Sequence, residues 1–399
     1  MKKMKSDILV VGAGLTGLMA AFALSNLNTN IIIIDKVDFL SKKNNNNDLR
    51  TTAIAEGSKQ FFEKIGIWKK INKFAQPIRD IKVIDRKPKN KIDFFNSNKN
   101  HNLGYIVRNT ILKRIVLKSL QNKKNVKIIS GQSLIDIKNN IFYTKCFFEK
   151  IIVESKLLIA TDGKNSKVRE LLKTPIFKKS YNQKALVVNF HHTKNHNSTA
   201  FELFFKSGPL AILPMKKIKK NEFSSSLIWS HNPEYINNLY NIDKKLLSSI
   251  LEEKIDSYVG NISEIVDIQF FNLSAHINSR FFEERVIYLG DAAHSLHPIA
   301  GQGWNVGIRD IEKCQKIIEE NIRLGLDNGS LVSCKEYHNQ SYQDAYILFQ
   351  LTDKLNNIFS KEGLLTNFFR EKGFNLINKN FIIKKVITNF AMGFNLKNY

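Results

Sequence analysis

The chain has 399 residues, more than one compact domain usually holds, so two domains sharing an interface are expected. With 43% hydrophobic and 11% aromatic residues it can bury large cores, which excludes a disordered chain. A formal net charge of +25 suits a polyanionic partner, either nucleic acid or an anionic membrane face, or else reflects a chain-wide bias.

The N-terminus resembles a leader peptide: Met1 to Lys5 is basic, and Ile8 to Leu24 is apolar and uncharged. Ala21, Phe22 and Ala23 imitate a cleavage site. Yet Asp7 interrupts the approach, and Gly12, Gly14 and Gly17 have a spacing that export does not require. The segment instead reads as a βαβ unit, with a strand at Ile8 to Val11, a helix at Leu15 to Leu27 and a strand at Ile31 to Ile34. No other segment is long and apolar enough to span a bilayer.

The polar stretch Ser41 to Asp48 reads as an exposed loop, and helical patterns follow at Thr52 to Ile65 and Thr110 to Leu120. A strand at Leu157 to Ala160 leads into Thr161, Asp162 and Gly163, after which Ser166 caps a short helix, Lys167 to Leu172. Between about Tyr181 and Phe271, short apolar runs broken by Gly, Pro, Asn and Ser give a sheet-like pattern. Strand character returns at Val286 to Leu289, ahead of a glycine-rich loop and a helix reaching about Asn321. Tyr337 to Tyr399 reads as helices. The nucleotide-binding pieces thus come from three distant segments, with the β-rich region inserted between them. Cys146, Cys314 and Cys334 form neither a disulfide framework nor a metal pattern, which suits a reducing cytoplasm.

Gly12-x-Gly14-x-x-Gly17 lies between a strand and a helix. There glycine permits a tight turn, close approach of the backbone to a pyrophosphate and contact between helix and strand. Asp35, ending the second strand, is placed to accept hydrogen bonds from a ribose. This pattern predicts FAD or NAD without choosing between them. A second apolar strand delivers Asp291, whose carboxylate can bind a polyol such as a ribityl chain. Gly301 and Gly303 then let the backbone close on a planar ring, ahead of a helix N-terminus that favours negative charge.

From Val286 through Gly307 the chain closely resembles the second FAD motif of flavoprotein aromatic hydroxylases, and within them the ubiquinone-biosynthesis hydroxylase family. Ala160 to Arg169, with Asp162, Gly163 and Ser166, is similar to that superfamily's middle motif, associated with FAD and transient NAD(P)H contact. Asp48 to Ala53 and Val107-Arg108 match its two flavin-contacting arginine positions, Arg50 and Arg108. Phe201-Glu202 through Gly208 to Pro214 resembles the substrate-domain signature, and Thr352 to Leu355 with Ile358 to Ser360 the C-terminal one. The resemblance implies an α/β protein with a discontinuous Rossmann-like FAD-binding domain (1–72, 100–176 and 274–335). An inserted β-sheet substrate domain (73–99 and 177–273) and C-terminal helices (336–399) complete it.

The implied reaction is hydroxylation of a lipophilic, polyprenylated phenol by O2, with FAD as cofactor and NAD(P)H as electron donor. One oxygen atom goes onto the ring and the other leaves as water. No general base is identifiable from the sequence, and the family needs no dedicated one; Asp291, Arg50 and the loop carrying Pro298, Gly301 and Gly303 are the expected flavin-positioning groups. Alternatives are a related flavoprotein acting on another aromatic or isoprenoid substrate, a flavin-holding partner without turnover in a complex with other ubiquinone-biosynthesis proteins, and a basic RNA-associated flavoprotein. RNA binding would cluster cations with aromatics on one element. Here lysines are scattered, with runs such as Lys42 to Asn47 and Lys216 to Lys220, so a Lys, Asn and Ile bias accounts for most of the charge and no nucleic-acid partner is expected.

Three departures stand out. Asp35 replaces a frequent Glu, Trp304 is bulkier than the usual aliphatic residue and is expected to narrow the pocket beside the flavin, and no arginine stands near Tyr342. His294 and His297 are three apart, but no carboxylate or thiol cluster completes a site, so hydrogen-bonding or packing roles near the flavin are expected and no metal. In the tail, Ile383, Val386, Ile387, Phe390 and Phe394 follow helical spacing, while Lys372 to Tyr399 carries five lysines and no acid. It reads either as a helix docked on the protein or as an interfacial helix on anionic lipid. The expected location is cytoplasmic, with peripheral contact at the inner membrane face open.

Overall fold

A computed structural model describes residues 1–40, 48–85, 90–95, 102–217, 222–360 and 364–393. Of the sequence expectations, the loop through residue 47, most of the run ending at Lys220, and Phe394 lie outside the described residues.

The first sheet runs in the order Phe282–Glu283, Val286–Tyr288, Ile151–Ala160, Lys2–Val11, Ile31–Ile34 and Val126–Ile129. From Val286–Tyr288 onward all these neighbours are parallel. A parallel sheet is covered on both faces, so its strands read as unbroken apolar runs; all four isoleucines of Ile31–Ile34 are buried. Burying each contributes about 1.5–3 kcal/mol. The helix Leu15–Ser25 is buried from Gly17 to Ser25, as a helix enclosed on every side must be. It packs against Asn109–Gln121 and Gly303–Leu324.

The second sheet is ordered His294–Ser295, Ile262–Asn278, Ile176–His192, Phe223–His231, Gly208–Met215, Thr199–Phe205, Asp80–Asp85 and Lys91–Phe95. One face, with Leu186, Phe190, Leu203, Leu227 and Trp229, packs against helices Pro233–Tyr240 and Lys244–Val259. Both helices lie within the stretch read as sheet. The two-residue strand His294–Ser295 leaves the Asp291 loop and pairs with His276 and Ile277, joining the two halves.

A third, three-stranded sheet holds Thr51–Ala55, Gly104–Arg108 and Gln76–Ile78. The helix expected from Thr52 therefore begins only at Glu56. Thr51, Thr52 and Ile54 are β-branched, and Gly104–Arg108 offers them an antiparallel partner, so pairing overrides the helical spacing. Helices Leu331–Ser360, Leu364–Lys379 and Phe381–Ala391 end the described chain. Among the described residues no helix is long and apolar enough to cross a membrane.

Candidate active site

Three distant turns meet at the carboxyl ends of the first sheet. Thr161 donates its hydroxyl to the carbonyl oxygens of Val11 (3.0 Å) and Gly12 (2.9 Å), joining the first turn to the second. Arg169 Nη1 donates to the Ala292 carbonyl at 3.2 Å and lies 3.0 Å from His276 Nε2, joining the second to the third. Gly290 abuts Thr16 on the first helix. Side chains beyond Cα would be excluded at the crowded positions, whereas Gly14, Gly163 and Gly303 have no atom within 4 Å of where a side chain would begin.

Asp35 accepts the Ala13 N–H at 2.6 Å and the Val37 N–H at 2.8 Å. A carboxylate has about four acceptor sites, so two remain for a ribose. Asp162 accepts the Val168 N–H at 3.0 Å, and burial pushes its pKa up. Ser166 caps its helix by accepting the Arg169 N–H, as expected. Asp291 opens to the cleft, yet the crowding protein raises its pKa against the opposing charges of His294, Arg50 and Lys164. Arg50 forms a double hydrogen bond with Asp48 (2.7 and 2.9 Å) and lies over the Phe271 ring. Arg108 faces Asp267 at 3.9 Å, and burial lowers its pKa.

The Pro298 to Gly303 loop is held by Asn305, a residue to which the sequence reading gave no role. Its amide accepts from Ala55 N–H and the Ser58 hydroxyl, both at 2.9 Å, and donates to Ala53 O (2.9 Å) and Gly301 O (3.3 Å). One side chain thereby fastens the Arg50 strand to the glycine loop. His294 binds Asp310 and His297 binds Gln183, so both act in hydrogen bonding. Burial lowers the His297 pKa to about 4. Among the described residues one group has metal-ligand chemistry, His191, Glu222 and Glu264. It sits on the second sheet, and His191 also bonds the Ser224 hydroxyl.

Against this loop lies an apolar cavity of about 370 Å³. Its walls come from the second sheet (Val83, Ala211, Ile228), from Ala53, Pro298, Ile299, Gly301 and Gln302, and from the C-terminal helices (Leu355, Phe359, Ile377). Phe204 and Phe359, both in the lining, stack at 3.7 Å between centroids. Trp304 does not narrow this space: helix phase turns it to Phe62, 5.8 Å away, and it is absent from the lining. Tyr342 packs on Phe281 and His338 without the missing arginine.

A strand–Gly-turn–helix cradle, an acid at the second strand, a second acid on a glycine loop and an adjoining apolar cavity define a flavin-dinucleotide protein. A family model described as FAD binding domain matches residues 5–324, and the chain belongs to that family. Ubiquinone hydroxylase UbiL of Rhodospirillum rubrum is 27% identical to it over 389 residues, covering 97% of this chain and 90% of that one. The 3-demethoxyubiquinol 3-hydroxylase of Escherichia coli is 23% identical over 398 residues, covering 98% and 100%. Among solved structures, p-nitrophenol 4-monooxygenase PnpA from Pseudomonas putida has the same fold, with a TM-score of 0.80 at 16% identity, covering 98% of this chain and 99% of that one.

Proposed function

We propose that the protein is an FAD-dependent monooxygenase that hydroxylates the aromatic ring of a polyprenylated phenol in ubiquinone biosynthesis, with NAD(P)H as donor. The observation that carries this reading is the apolar cavity meeting the Pro298 to Gly303 loop. Gly12, Gly14 and Gly17 with the first helix's N-terminus hold the pyrophosphate, Asp35 the adenosine ribose and Asp291 the ribityl chain. Gly163 leaves room beside Asp162, Arg50 and Arg108 flank the ring system, and Pro298, Gly301 and Gly303 line its edge. Bound FAD supplies the electron transfer that activates O2. The chain's own part is to orient the phenol and to exclude water with Val83, Ala211, Ile228 and Phe359.

The quinone intermediates that accumulate in cells lacking the protein test this reading. A precursor missing one ring hydroxyl is expected; an unchanged quinone pool overturns it. Asp291→Ala is expected to lower the flavin-to-protein absorbance ratio without unfolding the chain. Normal yellow protein from that variant would remove Asp291 from the site.

A lipophilic substrate also favours contact with the inner membrane face. The C-terminal helices line the cavity through Phe374, Ile377 and Ile387 while exposing Leu376, Phe381 and Ile382 beside Lys379 and Lys385. The docked and interfacial readings of the tail thus describe opposite sides of the same helices. A basic side chain at an anionic surface contributes about 1 kcal/mol. Lys379→Glu with Lys385→Glu should therefore weaken co-sedimentation with anionic vesicles at least on the order of thirty-fold. Unchanged binding would leave the tail a packing element only.

A further inference from the structure

Glu202 stands where the sheet pattern calls for an apolar residue. Across the cavity face, paired positions run Ile92, Val83, Glu202, Ala211, Ile228 and Val187. Five of the six are aliphatic, and the carboxyl lies near the middle. Along its own strand, its cavity-facing neighbours are Ala200 and Phe204. It is the only titratable side chain among the described residues that line the cavity. No hydrogen bond or ion pair links it to any other described residue.

Among the described residues on surrounding elements, no other charged group lines the cavity. Lys179 pairs with Asp353 at 2.6 Å, Lys384 lies over the Phe95 ring, and Asp85, on the same sheet face beyond Val83, does not line the cavity. Burial alone raises the Glu202 pKa, to about 7. The side chain is half-buried and faces the cavity, and an isolated carboxyl among apolar groups is costly unless something polar meets it. Ser230, Gln302, Asn305 and Thr388 supply the remaining polar lining, and the last three already have partners within the protein.

We infer that Glu202 is the general base for the substrate's phenolic hydroxyl, an assignment that rests on the proposed function and adds a residue and a step to it. The carboxylate takes the O–H proton, and the bonding pair stays on the phenolic oxygen, enriching the ring carbon that is attacked. As one atom of O2 is delivered, that carbon forms a C–O bond while the O–O bond breaks and the other atom leaves as water, and the phenolic oxygen becomes a carbonyl. The carbon then loses its hydrogen as a proton while Glu202 returns the first proton to the carbonyl oxygen, restoring the aromatic ring. Overall, ArH, O2, NAD(P)H and H⁺ give ArOH, H2O and NAD(P)⁺, with Glu202 unchanged.

The test compares wild type with Glu202→Gln, which keeps shape and polarity but cannot accept the proton. General-base catalysis is typically worth about 10²–10⁴-fold, so kcat for an alkylphenol should fall at least a hundred-fold at equal FAD content. The wild-type rise in rate from pH 6 to 8, on the order expected for a base with pKa near 7, should vanish. Polyfluorinated phenols chosen to be ionised at the assay pH should narrow the gap. Equal losses for all phenols, or a retained pH limb, overturn the assignment.

A binding measurement separates this from failure of the proposed function. A hydrogen bond to a charged acceptor exceeds a neutral one by roughly a factor of ten in affinity. Alkylphenol binding to the FAD-loaded protein should therefore tighten about tenfold as Glu202 ionises, and Glu202→Gln should bind independently of pH. If wild type binds this way but hydroxylates no phenol, the functional reading fails and Glu202 keeps only its contact with the phenolic hydroxyl. If binding in wild type is flat with pH, the role of Glu202 is overturned whatever the activity.

Discussion

Gly12→Ala is expected to yield little folded protein and no bound flavin. Gly12 has φ of +103°, where a side chain is strained in any surroundings. A methyl there would lie 2.4 Å from Thr161 O, 2.6 Å from Thr161 C and 2.7 Å from Asp162 N, all backbone atoms. Thr161 follows a strand fixed on both sides by parallel partners, so the neighbours cannot retreat without opening the sheet. Strain together with core overpacking places the cost in the tail of mutational effects, on the order of 4 kcal/mol or more. Gly14→Ala supplies the contrast. Nothing lies within 4 Å of its added methyl, so that variant should fold and melt normally while holding flavin less well, because the methyl enters the space a phosphate needs. Circular dichroism and flavin absorbance on the two proteins decide the matter. A normally folded, yellow Gly12→Ala protein would mean that the first turn does not have the crowding argued here.

The contrast also shows what a sequence can and cannot reveal. The glycine spacing, Asp35 and Asp291 were legible because their meaning is local: a turn, a strand end and a helix start within a few residues. The helices Pro233–Tyr240 and Lys244–Val259 are signalled locally too. Asn232 and Asp243 are N-caps whose side chains accept from Tyr235 N and Leu246 N at 2.8 Å, and Leu247, Leu251, Ile255 and Val259 recur every four residues. Gly, Pro and Asn around them read as breaks between strands, yet Asn232, Pro233 and Asp243 are also helix-start signals and Gly260 a stop.

Other features depend on partners far along the chain. Thr51–Ala55 is a strand because Gly104–Arg108 lies beside it. Trp304 faces Phe62 because the helix phase is set by Asn305 and Asp310 binding on their own sides. Glu202 is the sharpest case. In Ala200-Phe201-Glu202-Leu203-Phe204, an alternating strand with one wet face would put the acid in water. Here the C-terminal helices cover the second face as well, and a residue that looks like surface becomes a lone acid inside a cavity.

Asp310→Ala is the second large effect, because it removes a support beneath the Asp291 turn. Asp310 Oδ2 lies 2.6 Å from His294 Nε2 and accepts the Gly290 N–H at 3.2 Å, and both side chains are about 1% exposed. One oxygen thus fixes the residue before Asp291 and the histidine three after it. Without it, the imidazole and the amide are both left buried without that acceptor. Leaving each buried donor unsatisfied costs about 1–3 kcal/mol. At roughly 2 °C per kcal/mol for large chains, the melting temperature should fall by on the order of 5–10 °C. Asp310→Asn keeps one acceptor oxygen and should lose less. The comparison with Asp291→Ala is what makes the result specific. Asp291 opens to the cleft, so its loss should remove flavin while leaving the apoprotein's melting temperature near that of wild type. Loss of Asp310 should lower both, since the turn itself is displaced. If Asp310→Ala apoprotein melts with wild type, the turn is held by its glycine backbone alone, and the hydrogen bonds to His294 and Gly290 add nothing to the site.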